Sequence, residues 1–286
     1  YPTFITEVEE EEIEIWGGKP ADTAAIQYVD GDGSKGNPYQ IENGDQLYKM
    51  VAENTKYKEA DVATVEVKYF KIIKDIYLND VAAEDLANVV PETWAGKYNQ
   101  WYYAPANQET GFSGVVDGGG HTVYGVYHNG LLSGASTAGL IPNVIGKAEI
   151  TNLNVEKSYA YGKCAGALVG LVTGENTELK ISKCTVDNTC VQGWGSSTRV
   201  AGMVGGSYVS SASKNVYITI SDCALTNMKL VCKNATQAGI LGYGYGNKAK
   251  NNLVKNCYTD ETAFPGCYST GTYYPPLFKD DIKYEN

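Results

Sequence analysis

Ala165-Gly166-Ala167-Leu168-Val169-Gly170 is followed by Ile181-Ser182-Lys183-Cys184, and the alternating recurrence of these two phrases decides the fold. The first phrase returns as Ala138-Gly139-Leu140-Ile141, Ala201-Gly202-Met203-Val204-Gly205 and Ala238-Gly239-Ile240-Leu241-Gly242. The second returns as Ile150-Thr151-Asn152-Leu153, Ile220-Ser221-Asp222-Cys223 and Val254-Lys255-Asn256-Cys257. The leading glycines stand 27, 36 and 37 residues apart. A helical hairpin array needs a constant packing length. An irregular period suits a β-solenoid, whose coils carry insertions without disturbing the stacked strands. Between the glycines apolar residues alternate on period two, as in Leu153-Asn154-Val155 and Cys184-Thr185-Val186. The expected architecture is all-β, a right-handed parallel β-helix with an N-terminal capping segment.

One coil of such a solenoid cannot bury its own inward face. Stacking coils about 4.8 Å apart pairs every backbone group and joins the inward faces into one core. Glycine at a fixed place then permits a corner with positive φ or a close backbone approach. Leu153, Cys184, Cys223 and Cys257 are expected to form an internal ladder, with Cys acting as a small buried hydrophobe. Buried free thiols are expected at Cys184, Cys223 and Cys257. Cys164, Cys190, Cys232 and Cys267 receive no assignment. Seven cysteines is an odd number, and no C-x-x-C pair occurs.

Composition narrows the function classes. Apolar residues make up 43% and charged residues 20%, a globular balance. The net charge is −10 and Arg199 is the only arginine, so nucleic acid and strongly anionic partners are not expected. No apolar run is long enough to span a membrane. The absence of an initial methionine suggests a trimmed form. Four parts are expected. Residues 1–18 form an acidic leader or linker, and 19–68 a strand and capping helix. Residues 69–264 carry the repeats, and 265–286 a looped C-terminal cap. Asn43 or Asp45 would cap a helix that presents Leu47, Met50 and Val51 on one face. Tyr69–Leu78 reads as a strand pair, and Phe112–Val126 as strand, tight turn, strand.

Four stretches carry a family resemblance: Asn37-Pro38-Tyr39-Gln40-Ile41, Lys74-Asp75-Ile76, Phe112-Ser113-Gly114 and Asp117-Gly118-Gly119-Gly120-His121-Thr122-Val123. Followed by the Ala-Gly phrases, they resemble the GLUG-motif surface proteins, common in gut Bacteroidetes and present in bacterial adhesins and some immunoglobulin A peptidases. The resemblance covers roughly residues 16–260. It implies a right-handed parallel β-helix, secretion or anchoring at the bacterial cell surface, and an adhesin-like or accessory role. The strict Gly-Leu-x-Gly form is loosened here. No H-E-x-x-H helix exists and only His121 and His128 are present, so peptidase chemistry is not carried over.

Candidate sites follow from residue types. Trp194, Tyr208, Tyr243 and Tyr245 lie in glycine- and serine-rich turns, which successive coils would bring into one strip. Flat amphipathic rings suit glycans and glycoproteins. Trp101, Tyr102 and Tyr103 offer a second cluster in a long insertion. The alternative for both groups is turn packing. Asp30-Gly31-Asp32-Gly33-Ser34 resembles the opening of a calcium loop, although Lys35 and Ile41 stand where an EF-hand needs Gly and Glu. A plain turn is the competing reading, and no other cofactor is expected. Asp117 and His121 could pair an acid with an imidazole, or the glycines between them could simply make a tight hairpin or a corner. Asp75, Asp80 and Asp117 are the candidate carboxylates of a polysaccharide-acting glycosidase or lyase. The leading expectation is a non-enzymatic binder of host or microbial glycans or glycoproteins. A β-helix enzyme and a purely structural stalk are the alternatives.

Overall fold

The computed structural model describes residues 13–61, 64–101, 110–132, 136–194, 199–209, 215–231, 236–242, 244–245, 252–259 and 283–285. The protein is mostly β, and its strands assemble into four sheets. The first sheet runs in order through Tyr39–Ile41, Tyr69–Ile72, Phe112–Asp117, Ile141–Thr151, Thr177–Ser182, Val216–Ser221, Asn252–Lys255 and Lys283–Glu285. The second runs through Ile76–Tyr77, Thr122–Tyr124, Asn154–Glu156, Thr185–Asp187, Ala224–Thr226 and Tyr258–Thr259. The third takes Tyr127–Asn129, Tyr159–Gly162, Cys190–Gly193 and Lys229–Val231. The fourth takes Thr137–Ala138, Cys164–Ala165, Arg199–Ala201 and Thr236–Ala238. The ladders between these strands are parallel. Along the chain the four sheets are visited in turn.

The register explains the alternation in the sequence. Val116, Ile150, Ile181, Ile220 and Val254 are successive partners in the first sheet, and all are buried. Ile76, Val123, Val155, Val186 and Leu225 do the same in the second. His128, Ala160, Val191 and Leu230 form the column of the third. Each large apolar member contributes about 1.5–3 kcal/mol relative to exposure. One core cluster joins these columns from Trp16 to Val254.

The glycines of the recurring Ala-Gly phrase have a steric cause. A Cβ on Gly139 would sit 2.5 Å from the Gly166 carbonyl, and one on Gly202 would sit 2.6 Å from that of Gly239. A Cβ on Gly205 would meet the Gly170 carbonyl at 2.5 Å. The repeated glycines therefore let neighbouring backbones touch. The corners mostly use other residues. Asn152, Lys183, Asp222 and Asn256 turn the chain from first to second sheet with φ of 51–56°. Lys157, Asn188 and Asn227 turn it from second to third with φ of 49–51°. Asn and Asp tolerate this left-handed region best among non-glycine residues.

Several expectations are corrected. Tyr69–Ile72 and Ile76–Tyr77 do not pair with each other but belong to two different sheets. Phe112–Asp117 and Thr122–Tyr124 are likewise in separate sheets, so Gly118-Gly119-Gly120 is a corner rather than a hairpin turn. The helix spans Gly44–Asn54, with the Asn43 side chain accepting from the Gln46 amide at 3.0 Å. Its Leu47, Met50 and Val51 enter the core. Trp16 is also a core residue, tilted against Trp101 at 5.3 Å and stacked near Tyr48 at 6.0 Å. Lys283–Glu285 adds a parallel strand beside Leu253–Lys255. Cys184 and Cys223 are buried free thiols, whereas Cys257 is a half-buried one. Cys164 and Cys190 are free and buried; Cys232 and Cys267 lie outside the described residues.

Candidate functional site

A cleft of about 840 Å³ lies beside the start of the second sheet. Two stacked corners build one wall. Lys74-Asp75 leads into Ile76–Tyr77, and His121 leads into Thr122–Tyr124 on the next rung. Stacking places the Asp75 carboxylate against the following corner. Its Oδ1 accepts from the Thr122 amide at 3.0 Å and meets His121 Nδ1 at 3.3 Å. Both side chains stay open to solvent, at 43% and 36% exposure. Asp117 does not pair with His121. Its Oδ1 accepts instead from the Gly119 amide and from Asn152 Nδ2, each at 3.0 Å, and so fixes the corner.

The rest of the lining comes from the N-terminal segment and the start of the helix. Glu14, Glu42, Asn43 and Asp45 line it with Trp16. Asp45 Oδ1 accepts from Trp16 Nε1 at 2.8 Å, which ties the helix start to that indole. Lys74 Nζ lies 3.5 Å from Oε2 of Glu42, which follows the neighbouring paired strand. Tyr77 borders the cleft and stacks on Tyr124 with centroids 4.5 Å apart and rings 8° from parallel. Burial, ahead of Tyr124 and Asp75, pushes the Tyr77 phenol above its ordinary range. Register carries the column onward from Tyr124 to Glu156 and Asp187. Burial, then the charge of Asp187, raises the Glu156 carboxyl.

The arrangement offers carboxylate and amide acceptors, one ammonium, one imidazole and two aromatic side chains. Such a set fits a hydroxyl-rich ligand. The lining residues include no Ser, Thr or Cys for His121 to activate as a nucleophile.

The sequence candidates fall in different places. Tyr208 and Tyr245 are direct register partners, so two members of the expected strip do sit on adjacent rungs. Trp194 stands at another corner, between the third and fourth sheets, where Lys163 Nζ lies 5.8 Å from its ring centroid. Tyr102, Tyr103 and Tyr243 lie outside the described residues. Trp101 is corrected from a surface contact to a core residue, fully buried, with its indole donating to the Leu140 carbonyl at 3.0 Å. The insertion before it covers the third sheet. Trp94 packs on Tyr127 and Tyr159 at 5.5 and 5.2 Å, so its aromatics seal a face. Asp80 is exposed and does not line the cleft.

Asp30, Asp32 and Ser34 belong to a self-contained turn. Asp30 accepts from the Gly31 amide at 2.7 Å, and Asp32 from the Ser34 amide at 2.8 Å. The Ser34 hydroxyl accepts from the Asn37 amide at 3.2 Å. The Ser34 hydrogen bonds hold the Asp32 carboxyl below its ordinary range. Among the described residues no three His, Cys, Asp or Glu side chains converge as a metal site would require. The cleft itself was missed by sequence reasoning, because it joins residues 14, 42–45, 74–77 and 121. The signal that could have found it was the pair of motifs Lys74-Asp75-Ile76 and His121-Thr122-Val123, which share one corner.

No protein-family model and no curated protein matches the chain, so the GLUG resemblance rests on its residues alone. Among solved structures, one from Bacteroides ovatus, provisionally named an immunoglobulin A1 protease, is similar. It is 11% identical, covers 93% of this chain and 88% of that one, and gives a TM-score of 0.37. A likeness at that score does not extend to the site or to function.

Proposed function

We propose that this chain is a right-handed parallel β-helix acting at the bacterial cell surface as a non-enzymatic module that binds a glycan or glycoprotein in the cleft of Asp75, Tyr77 and His121. The four parallel sheets, visited in turn, support the solenoid reading, and the Gly44–Asn54 helix would cap its N-terminal end. The observation that carries the binding reading is the lining of the cleft. Glu14, Glu42, Asn43, Asp45 and Asp75 supply acceptors for sugar hydroxyls, Lys74 supplies a donor, and Tyr77 supplies an apolar surface. The pockets of binding proteins combine such features, and the cleft volume falls in their range of roughly 300–1,000 Å³.

A second reading, a polysaccharide-acting hydrolase or lyase, draws on one observation, the Asp75–His121 contact. A glycan and mucin array separates the readings. Wild type, Asp75→Asn, Tyr77→Ala and a Trp194→Ala/Tyr208→Ala double variant are compared, and bound glycans are assayed for new reducing ends. Binding that is lost in Asp75→Asn and Tyr77→Ala, with no bond cleavage, is the expected result. Cleavage would favour the enzyme. Loss only in the Trp194/Tyr208 variant would move the site to those corners, and no binding by any form would leave a structural stalk.

A further inference from the structure

Three free thiols occupy equivalent places on consecutive rungs, immediately before the second-sheet strands. The Cys184 carbonyl accepts from the Ala224 amide at 3.0 Å, and the Cys223 carbonyl accepts from the Tyr258 amide at 2.9 Å. Cys184, Cys223 and Cys257 are therefore stacked one rung apart. Each thiol lies against the carbonyl two residues before it: Cys184 on Ser182 at 3.3 Å, Cys223 on Ser221 at 3.1 Å and Cys257 on Lys255 at 3.2 Å. The three sulfurs share one orientation. The other described thiols lack a neighbouring thiol. Cys164 faces Thr137 and Arg199 in register, and Cys190 faces Tyr159 and Lys229.

We propose that this ladder is a two-coordinate site for a soft metal cation, with Cys223 as the shared ligand and either Cys184 or Cys257 as the second. Thiolates select soft cations. Two metal–sulfur bonds of about 2.3 Å in a line hold their sulfurs about 4.6 Å apart, and neighbouring rungs are about 4.8 Å apart. Cys184 and Cys257 are two rungs, about 9.6 Å, apart, and cannot bridge one ion. The ladder thus serves one ion at a time. A divalent ion replaces two thiol protons, which leave to solvent, and the resulting bis-thiolate is neutral. Neutrality matters because Cys184 and Cys223 are buried among apolar side chains. Half-buried Cys257 is the point of entry.

Mercuric chloride is the probe. The folded protein is loaded under reducing-agent-free, anaerobic conditions and then exchanged against an excess of a small monothiol, which strips singly held mercury but not a chelated ion. Native mass spectrometry reads what remains. Wild type is expected to retain one ion, Cys184→Ser and Cys257→Ser each to retain it, with slower uptake for Cys257→Ser, and Cys223→Ser to fall at least tenfold. If Cys223→Ser does not fold, the Cys184→Ser/Cys257→Ser double variant replaces it and is expected to lose the ion. Retention unchanged in the variants that lack every adjacent pair, or absent from wild type, would overturn the proposal.

Discussion

Acid should unfold this protein partly through one imidazole. His128 stands at the head of a column whose next members are Ala160, Val191 and Leu230, and it is fully buried. Its Nδ1 lies 3.0 Å from the Gly139 carbonyl, and its Nε2 meets no partner among the described residues. A charged ring there would lose its hydration, with no counter-ion among the described residues to replace it. Burial accordingly draws the pKa from 6.5 down to about 4. In the unfolded chain the ring takes up a proton below 6.5, while the folded chain resists until about 4. Stability is therefore full above 6.5, falls as pH drops between these values, and changes no further through this group below them. The gap corresponds to about 3 kcal/mol in full, of which roughly 2.5 kcal/mol is reached by pH 4.5. Urea unfolding of wild type and His128→Leu at pH 7.5 and 4.5 measures it. The carboxylates titrate in both proteins, so the difference between their pH slopes isolates His128. Wild type should lose about 2.5 kcal/mol more than the variant. Parallel pH dependence in the two proteins would refute the reasoning.

The glycine contacts predict that Gly205→Ala destabilises by about 2 kcal/mol or more, since the obstructing atoms are backbone. Gly36→Ala, with open space around it, should be nearly neutral in the same urea titration. At the exposed left-handed corner residue Asn188, a β-branched Val should cost about 1–2 kcal/mol, whereas Gly should change stability little. Trp101→Ala should lower stability by about 3–5 kcal/mol in calorimetry; an effect on ligand binding without such a loss would contradict its place in the core.

Much of the fold was legible because the alternation of apolar residues and the close-contact glycines are local patterns forced by stacking. Ile150, Ile181, Ile220 and Val254 were readable as a set since each occupies the same place on its rung. The corner chemistry was less legible. Lys183 and Lys157 hold positive φ, and nothing in lysine itself announces that conformation. Trp101 misled for a physical reason. An indole is amphipathic, and the same ring that can meet a sugar can also fill a core. The cleft was hidden because rung stacking, not sequence proximity, brings Asp75 to His121. The rest of its lining depends on Trp16 reaching Asp45, a contact no local pattern reveals.

Hydrogen–deuterium exchange of the folded protein with and without a mucin glycan pool tests the proposed site most directly. Slowed exchange at the amides of Asn43–Asp45, Lys74–Tyr77 and His121–Thr122, and no slowing in the Asp75→Asn variant, is the predicted result. Protection confined to Trp194 and Ser207–Tyr208, with the cleft amides unchanged, would contradict it.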